Sequence, residues 1–488
     1  MNLKRKYLGI FILLCSFFII LTSPSVHAET LIEQTQKNGY TVTEENAPEA
    51  GIVIDGENGQ VLWQENAGEK INPGDLSRLM TLYLIFEAID EGTLTLDTVV
   101  TTTDTQEAIS QLPNMANNAV VAGVEYQISD LIQLSLFTSS TVATIMLANT
   151  LEERDGAFVE RMNEKAAELG MAQTTFNTVT GIPAEDFQGY YQPDGFDSFS
   201  GNLTTAGDLA LLTYHFLNNY PDCLEMTKKS QTSILSDSLY GESFESKNQL
   251  LPNQPFATEG VDGLLLGENE LGFNGIFTAQ RNNWQTITIV LGAGNTAVPE
   301  SQQSLYAVGK TLIDQMYQSY SYEKILDAGE QTFEDKNINV ANDFYAVMKK
   351  NSKPELTIAE DSISLNNALP VLSDKTEPLA VNYTDKEKEL EQELEGHSFI
   401  KYLLSVFQIT QWTILALGAL LLGVLFLLMA IFIPSKKHRL QDIDEDSLTA
   451  TSRSKKYAQQ FPYKSIVIIV GLLMFLGSVV VLSLQYLL

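Results

Sequence analysis

In the stretch INPGDLSRLMTLYLIFEAID (residues 71–90), the side chains able to do chemistry are Asp75 and Arg78, three residues apart at the front of an apolar run. Residues i and i+3 share a helix face, so carboxylate and guanidinium lie side by side. A carboxylate attacking an amide would form a mixed anhydride, far less stable than the ester a serine makes. A guanidinium with a pKa above about 12 stays charged and takes no proton. The pair therefore reads as structural: Asp75 as the helix N-cap, worth about 1 kcal/mol over Ala, with an ion pair to Arg78. Other chemistry is sparse. His215 is the only histidine between the leader and His397, and it lies between Tyr214 and Phe216 on an amphipathic helix. Carboxylates such as Asp186 and Asp194 are many, but no spacing singles out a pair or a metal cluster, so neither metal nor cofactor is expected. With only Cys15 and Cys223, there is no disulfide framework and no cysteine-based metal site.

The elements that must position these residues belong to an exported chain. Its 488 residues suggest two or three domains. Residues 1–28 have a basic start, an apolar run and a small-residue cleavage pattern at Val26-His27-Ala28, the marks of a signal peptide. Two long apolar stretches without charge, 409–433 and 465–487, read as transmembrane helices. The loop 434–464 between them carries Lys436, Lys437, Arg439, Arg453, Lys455, Lys456 and Lys464, which places it in the cytoplasm and the large domain outside. A net charge of −31 excludes nucleic acid as a partner.

Within the exported part, 47–66 has the apolar, glycine-turn, apolar pattern of a hairpin. Helical spacing then covers 75–90, 129–151, 156–169 and 204–218, strands return in 271–292 around Arg281-Asn282-Asn283, and 300–320 closes with a helix. Strands, a block of helices and strands again imply an α+β sandwich whose first and last segments share a sheet. A small β-rich domain (323–390) and a charged linker (391–408) follow.

Several fragments within 45–320 together resemble the D-alanyl-D-alanine carboxypeptidases among the low-molecular-weight penicillin-binding proteins. These are IVIDGENGQVLWQENAGEKINP leading into a helix with LMT, FNTVTGIP, the LTTAGDLALL helix, and VDGLLLG before a strand pair. The resemblance implies a carboxypeptidase-like domain over 29–322 with the β-lactamase-type α/β sandwich. It also implies three motifs: Ser-x-x-Lys on the first buried helix, Ser-x-Asn, and Lys-Thr-Gly on a strand. At i and i+3 the family's lysine holds the serine proton while the oxygen attacks a carbonyl. Here Asp75-Leu76-Ser77-Arg78 stands at the first motif, Ser139-Ser140-Thr141 at the second and Leu265-Leu266-Gly267 at the third. Asp75, Arg78, Ser139, Thr141 and Leu265 are thus altered family positions. Ser200-Gly201-Asn202 has the Ser-x-Asn form, but its place before the LTTAGDLALL helix gives it a turn and cap role.

Two readings of function follow. One is a membrane-anchored, catalytically inactive homologue acting in peptidoglycan assembly by binding a wall stem peptide or a membrane protein of envelope synthesis. Gly418, Gly423, Gly471 and Gly477 would offer small-residue surfaces on its spans. The other is an active serine-type carboxypeptidase or related hydrolase with altered motifs, drawing on Ser139 and Ser77.

Overall fold

The computed structural model describes residues 29–386, apart from 114, 237, 335, 377 and 378, together with 411–432 and 463–485. The expected leader, the charged linker and nearly all of the expected cytoplasmic loop lie outside the described residues. The chain divides into two compact units, one running to Glu330 and resuming over Val340–Tyr383, the other comprising Gln331–Asn339 and the residues from Thr384 onward.

The first unit is built on a five-stranded antiparallel sheet. After a short helix α1 (Leu31–Lys37), the hairpin β1 (Ala50–Asp55) and β2 (Val61–Glu65) forms one side of it. β7 (Val261–Glu268), β8 (Phe273–Arg281) and β9 (Trp284–Ala293) form the other, in the order β2-β1-β9-β8-β7. β1 joins β9, pairing Ile52 with Ile289, so the two ends of the domain do share one sheet. The turn between β8 and β9 places Asn282 and Asn283 at φ 51° and 59°, the paired left-handed geometry that favours Asn in tight hairpins.

Alternation along the strands gives the sheet two buried faces. Ile52, Ile54, Ile287, Ile289 and Leu291 point into one core, against the helical block. Val53, Trp284, Val290 and Ala293 point into the other, against α8 (Gln303–Ser319), which contributes Leu305, Val308 and Leu312. The helical block contains α2 (Arg78–Asp90), α3 (Asp104–Ser110), α4 (Ile128–Gln133), α5 (Thr141–Leu151), α6 (Asp155–Leu169) and α7 (Ala206–Asn219). Two-stranded ribbons, β3 (Val99–Thr101) with β4 (Glu125–Gln127) and β5 (Gln231–Ile234) with β6 (Glu242–Glu245), edge it.

Three expectations need correction. Asp75 is not a helix N-cap: Gly74, at φ +54°, turns the chain into a single 3-10 turn, Gly74–Ser77, and α2 begins only at Arg78. The expected continuous helix 129–151 is broken. A π-helical stretch, Leu134–Thr138, ends at Ser139 in the left-handed conformation, and Ser140 then caps α5 through the N–H of Ala143. Capping of α7 falls to Thr205 and not to the Ser200–Asn202 segment; Asn202 is instead fully buried, its amide oxygen accepting from the N–H groups of Asn177 (2.7 Å) and Thr178 (3.0 Å).

Beyond α8, β10 (Tyr320–Leu326), β11 (Gly329–Phe333), β12 (Lys336–Val340), β13 (Phe344–Lys349), β14 (Leu356–Ile358), β15 (Ser362–Leu365) and β16 (Ala380–Asp385) make the region β-rich. β10 pairs with β13, and β14, β15 and β16 pair in succession, all antiparallel. This region grips the turn of the β1–β2 hairpin. The buried Gln60 amide accepts from the Val347 N–H (2.7 Å) and donates to the Val347 carbonyl (3.1 Å). The main chain of Val61 donates to Pro370, and that of Leu372 to Gly59.

In the second unit, α9 (Gln411–Phe432) and α10 (Tyr463–Gln485) are almost wholly apolar. Their described side chains cover 414–429 and 467–479. Among the described residues, no helix is long and apolar enough to cross a membrane. The two helices touch where Gly423 meets Gly471: a Cβ built on Gly423 would lie 3.1 Å from the Gly471 carbonyl oxygen. Gly418 and Gly477 face open space.

Candidate functional site

Backbone geometry brings the front of α2 against the edge strand β7. Gly74 packs so closely on the Glu268 carbonyl that a Cβ there would lie 1.9 Å from its oxygen, and a Cβ on Gly267 would meet the Asp75 Cβ at 2.9 Å. Gly181, at φ +92°, presses on the Gly74 carbonyl in the same way. Glycine is required at these three contacts because two main chains approach without room for a side chain. Nothing in the sequence marks these contacts beyond the residue type.

The wall between α2 and β7 is closed by Arg78. The residue is 2 % exposed, and its Nη2 donates to Ser139 Oγ (2.7 Å) and to the main-chain carbonyl of Leu266. Asp75, also buried, stands 3.9 Å from Nη1, the expected i, i+3 ion pair. Ser139 Oγ donates to the same Leu266 carbonyl at 3.3 Å. Ser139 holds φ 64° and ψ 30°, uncommon for a residue with a Cβ, and that conformation directs the chain from the π-helical stretch into α5. Burial pushes the Asp75 carboxyl up, with Glu268 adding to the rise while Arg78 and Lys247 oppose it. Burial likewise lowers the Arg78 guanidinium, opposed by Asp75.

The other sequence-derived positions behave differently. Thr141 opens α5, is buried, and donates its N–H to the Ala116 carbonyl at 2.7 Å. Leu265 is 1 % exposed and belongs to the apolar core; its neighbour Leu266 meets the polar cluster, through its carbonyl. Ser77 is buried with its hydroxyl unpartnered, as is Arg78 Nε. Lys247, in the connection between β6 and β7, was not foreseen from the sequence, and nothing in its surroundings there marks it. With Ser139, Thr227, Ser246, Asn248 and Leu266 it lines a cavity of about 20 Å³, room for roughly one water.

The remaining polar residues lie apart from this cluster. His215 is half-buried against Tyr214, its Nε2 without a hydrogen-bond partner, and burial lowers its pKa. Asp194 is engaged by Arg154 at 2.6 Å. Among the described residues no group of three or more His, Cys, Asp or Glu side chains is placed to hold a metal ion. Cys223 is free and buried, and burial raises its thiol pKa.

An antiparallel sheet between a helical block and a C-terminal helix, followed by a β-rich region, is the architecture of low-molecular-weight penicillin-binding proteins. The structure of PBP3 from Streptococcus pneumoniae, described as a peptidoglycan synthesis regulatory factor, superposes with a TM-score of 0.60 at 21 % identity, covering 71 % of this chain and 99 % of that one. Penicillin-binding protein 6B from Escherichia coli gives a TM-score of 0.53 at 23 % identity, covering 71 % and 96 %. The model of the D-alanyl-D-alanine carboxypeptidase family matches residues 35–295, more than half of the chain, which therefore belongs to that family. A second match, to a domain of unknown function (DUF1958), covers 322–384. The chain is 25 % identical over 284 residues to the carboxypeptidase DacF of Bacillus subtilis, covering 58 % of this chain and 65 % of that one. It is 27 % identical over 248 residues to DacC of Escherichia coli, covering 50 % and 56 %. In both cases the chain spans less than two thirds of the relative's own length.

Proposed function

We propose that this chain is a catalytically silent, membrane-anchored member of its family that acts in peptidoglycan assembly by binding, either a wall stem peptide or a membrane protein of envelope synthesis. The observation that carries the reading is Arg78. Where the family's acyl transfer needs a proton-accepting amine beside a serine, this chain has a buried guanidinium with one amino group committed to Ser139 and the Leu266 carbonyl. Asp75 at the serine position would leave a mixed anhydride, and Leu265 at the third motif carries no charge to meet a substrate carboxylate.

Incubation of the detergent-solubilised full chain with labelled penicillin should leave no covalent adduct, and a pentapeptide mimic should release no D-alanine. A stable mass increase of one β-lactam on any serine of the first unit overturns the silent reading. Anchoring by a leader removed near Ala28 and two spans, with 434–464 inside, draws its support from the sequence: the charge-free stretches 409–433 and 465–487 and the basic residues between them. A cysteine at Ser301 should react with a membrane-impermeant thiol reagent in intact cells, whereas one at Ser447 should not. In a deletion strain with a phenotype, Asp75→Ala should restore function. The exported part on an unrelated single span should not, if the paired helices dock onto a partner.

A further inference from the structure

We propose that Arg78 is an internal bolt that holds the groove between α2 and the edge strand β7 shut, so that the exported domain leaves stem peptide unbound there. The inference rests on the silent reading above and removes stem peptide from its two ligands.

β7 ends the sheet, and an edge strand offers its outward main-chain groups to any extended peptide that adds as a further strand. On this edge the Leu266 carbonyl is already taken twice, by Arg78 and by Ser139 Oγ. The donors come from two other elements, the front of α2 and the junction before α5, while Asp75 on the 3-10 turn faces the guanidinium from a third. One side chain thus ties three segments to the strand a ligand would need. The pocket beside it leaves room for roughly one water. A peptide adding to the edge would have to displace the guanidinium and leave it and Asp75 as buried charges without partners, an arrangement strongly disfavoured in a protein interior.

The test compares the full chain with Arg78→Ala by hydrogen exchange at the amides of 264–268. The variant should exchange there at least about tenfold faster, as local opening of the strand edge requires. Guanidinium at low, non-denaturing concentration should restore protection by refilling the vacated seat, and sodium chloride at equal ionic strength should not. Exchange equal to that of the native chain overturns the bolt, as does rescue by sodium chloride alone. So does native binding of an acyl-D-alanyl-D-alanine peptide as tight as that of Arg78→Ala. If Arg78→Ala does not fold, Ser139→Ala removes one acceptor of the guanidinium and should give a smaller acceleration at the same amides; unchanged exchange overturns the proposal. Failure of the silent reading is read separately, as a penicillin adduct on the native chain.

Discussion

Asp55 ends β1 with its carboxylate sealed from solvent, accepting from Trp284 Nε1 (2.8 Å) and from the Asn58 N–H (2.7 Å). Burial dominates these bonds and lifts its pKa from 3.8 to about 6. The folded chain therefore keeps this proton to a higher pH than the unfolded chain does. The stability that protonation confers is fully present below about pH 4, falls between about pH 4 and 6, and is gone above, a loss of about 3 kcal/mol for a shift of this size. Urea unfolding across pH 4–7 should show that loss in the native chain and not in Asp55→Asn. Parallel profiles for the two proteins would contradict the assignment. At the candidate site, the Asp75–Arg78 pair was legible because i, i+3 spacing is a property of any helical turn. The role of Asp75 was not, since Pro73-Gly74 reads as a helix entry while the close approach of β7 holds Gly74 in a left-handed turn. The conformation of Ser139, a position already singled out, was hidden for a related reason: no local signal announces a left-handed serine imposed by packing.

Ser140 does what sequence reasoning asked of Asp75. It accepts from the Ala143 N–H at 3.4 Å and restarts the helix after the break. Ser140→Ala should cost about 1 kcal/mol in urea unfolding, and no change would remove the cap from the account. The helices α2, α6 and α7, the hairpins and the closing helix were readable because their apolar periods are long and uninterrupted. The break at 134–140 was not, because LIQLSLFTSSTVATIML keeps a helical period through it. Among the glycines of the apolar helices, the sequence could not say which were occupied. Gly471 is, with Leu427, Phe426 and the Gly423 carbonyl within about 3.3 Å of a built Cβ, whereas Gly418 is open. Gly471→Leu should therefore lower the thermal transition of the solubilised helix pair followed by circular dichroism, and Gly418→Leu should leave it unchanged. Equal effects would mean that the pair does not pack through these glycines.

At the scale of the molecule, order and spacing of strands and helices were enough to place the first and last strands in one sheet, because connection rules leave few ways to cover such a sheet. How the β-rich region attaches was not legible, since it depends on Gln60, one amide among many polar residues. Gln60→Ala leaves the N–H and carbonyl of Val347 without their partner in a dry contact, and should cost about 2–4 kcal/mol in unfolding experiments. A variant as stable as the native chain would show that water replaces the amide. The bonds at this junction share a further property. Gln60 reaches the peptide group of Val347, Asn58 the carbonyl of Tyr345, Val61 that of Pro370, and Gly59 receives the N–H of Leu372. In these bonds each partner on the side of the β-rich region is main chain, which every amino acid supplies alike. These bonds are therefore indifferent to the identity of the residues they grip, whereas the rest of the attachment is not: Tyr320 donates its hydroxyl to the Leu62 carbonyl, Thr376 packs on Gly59, and Val347 is buried in the core beneath the sheet. Substitutions can accumulate along that side wherever they spare these side chains, and a foreign module should seat on the hairpin only if its strands follow the same path and bring an apolar residue to the place of Val347.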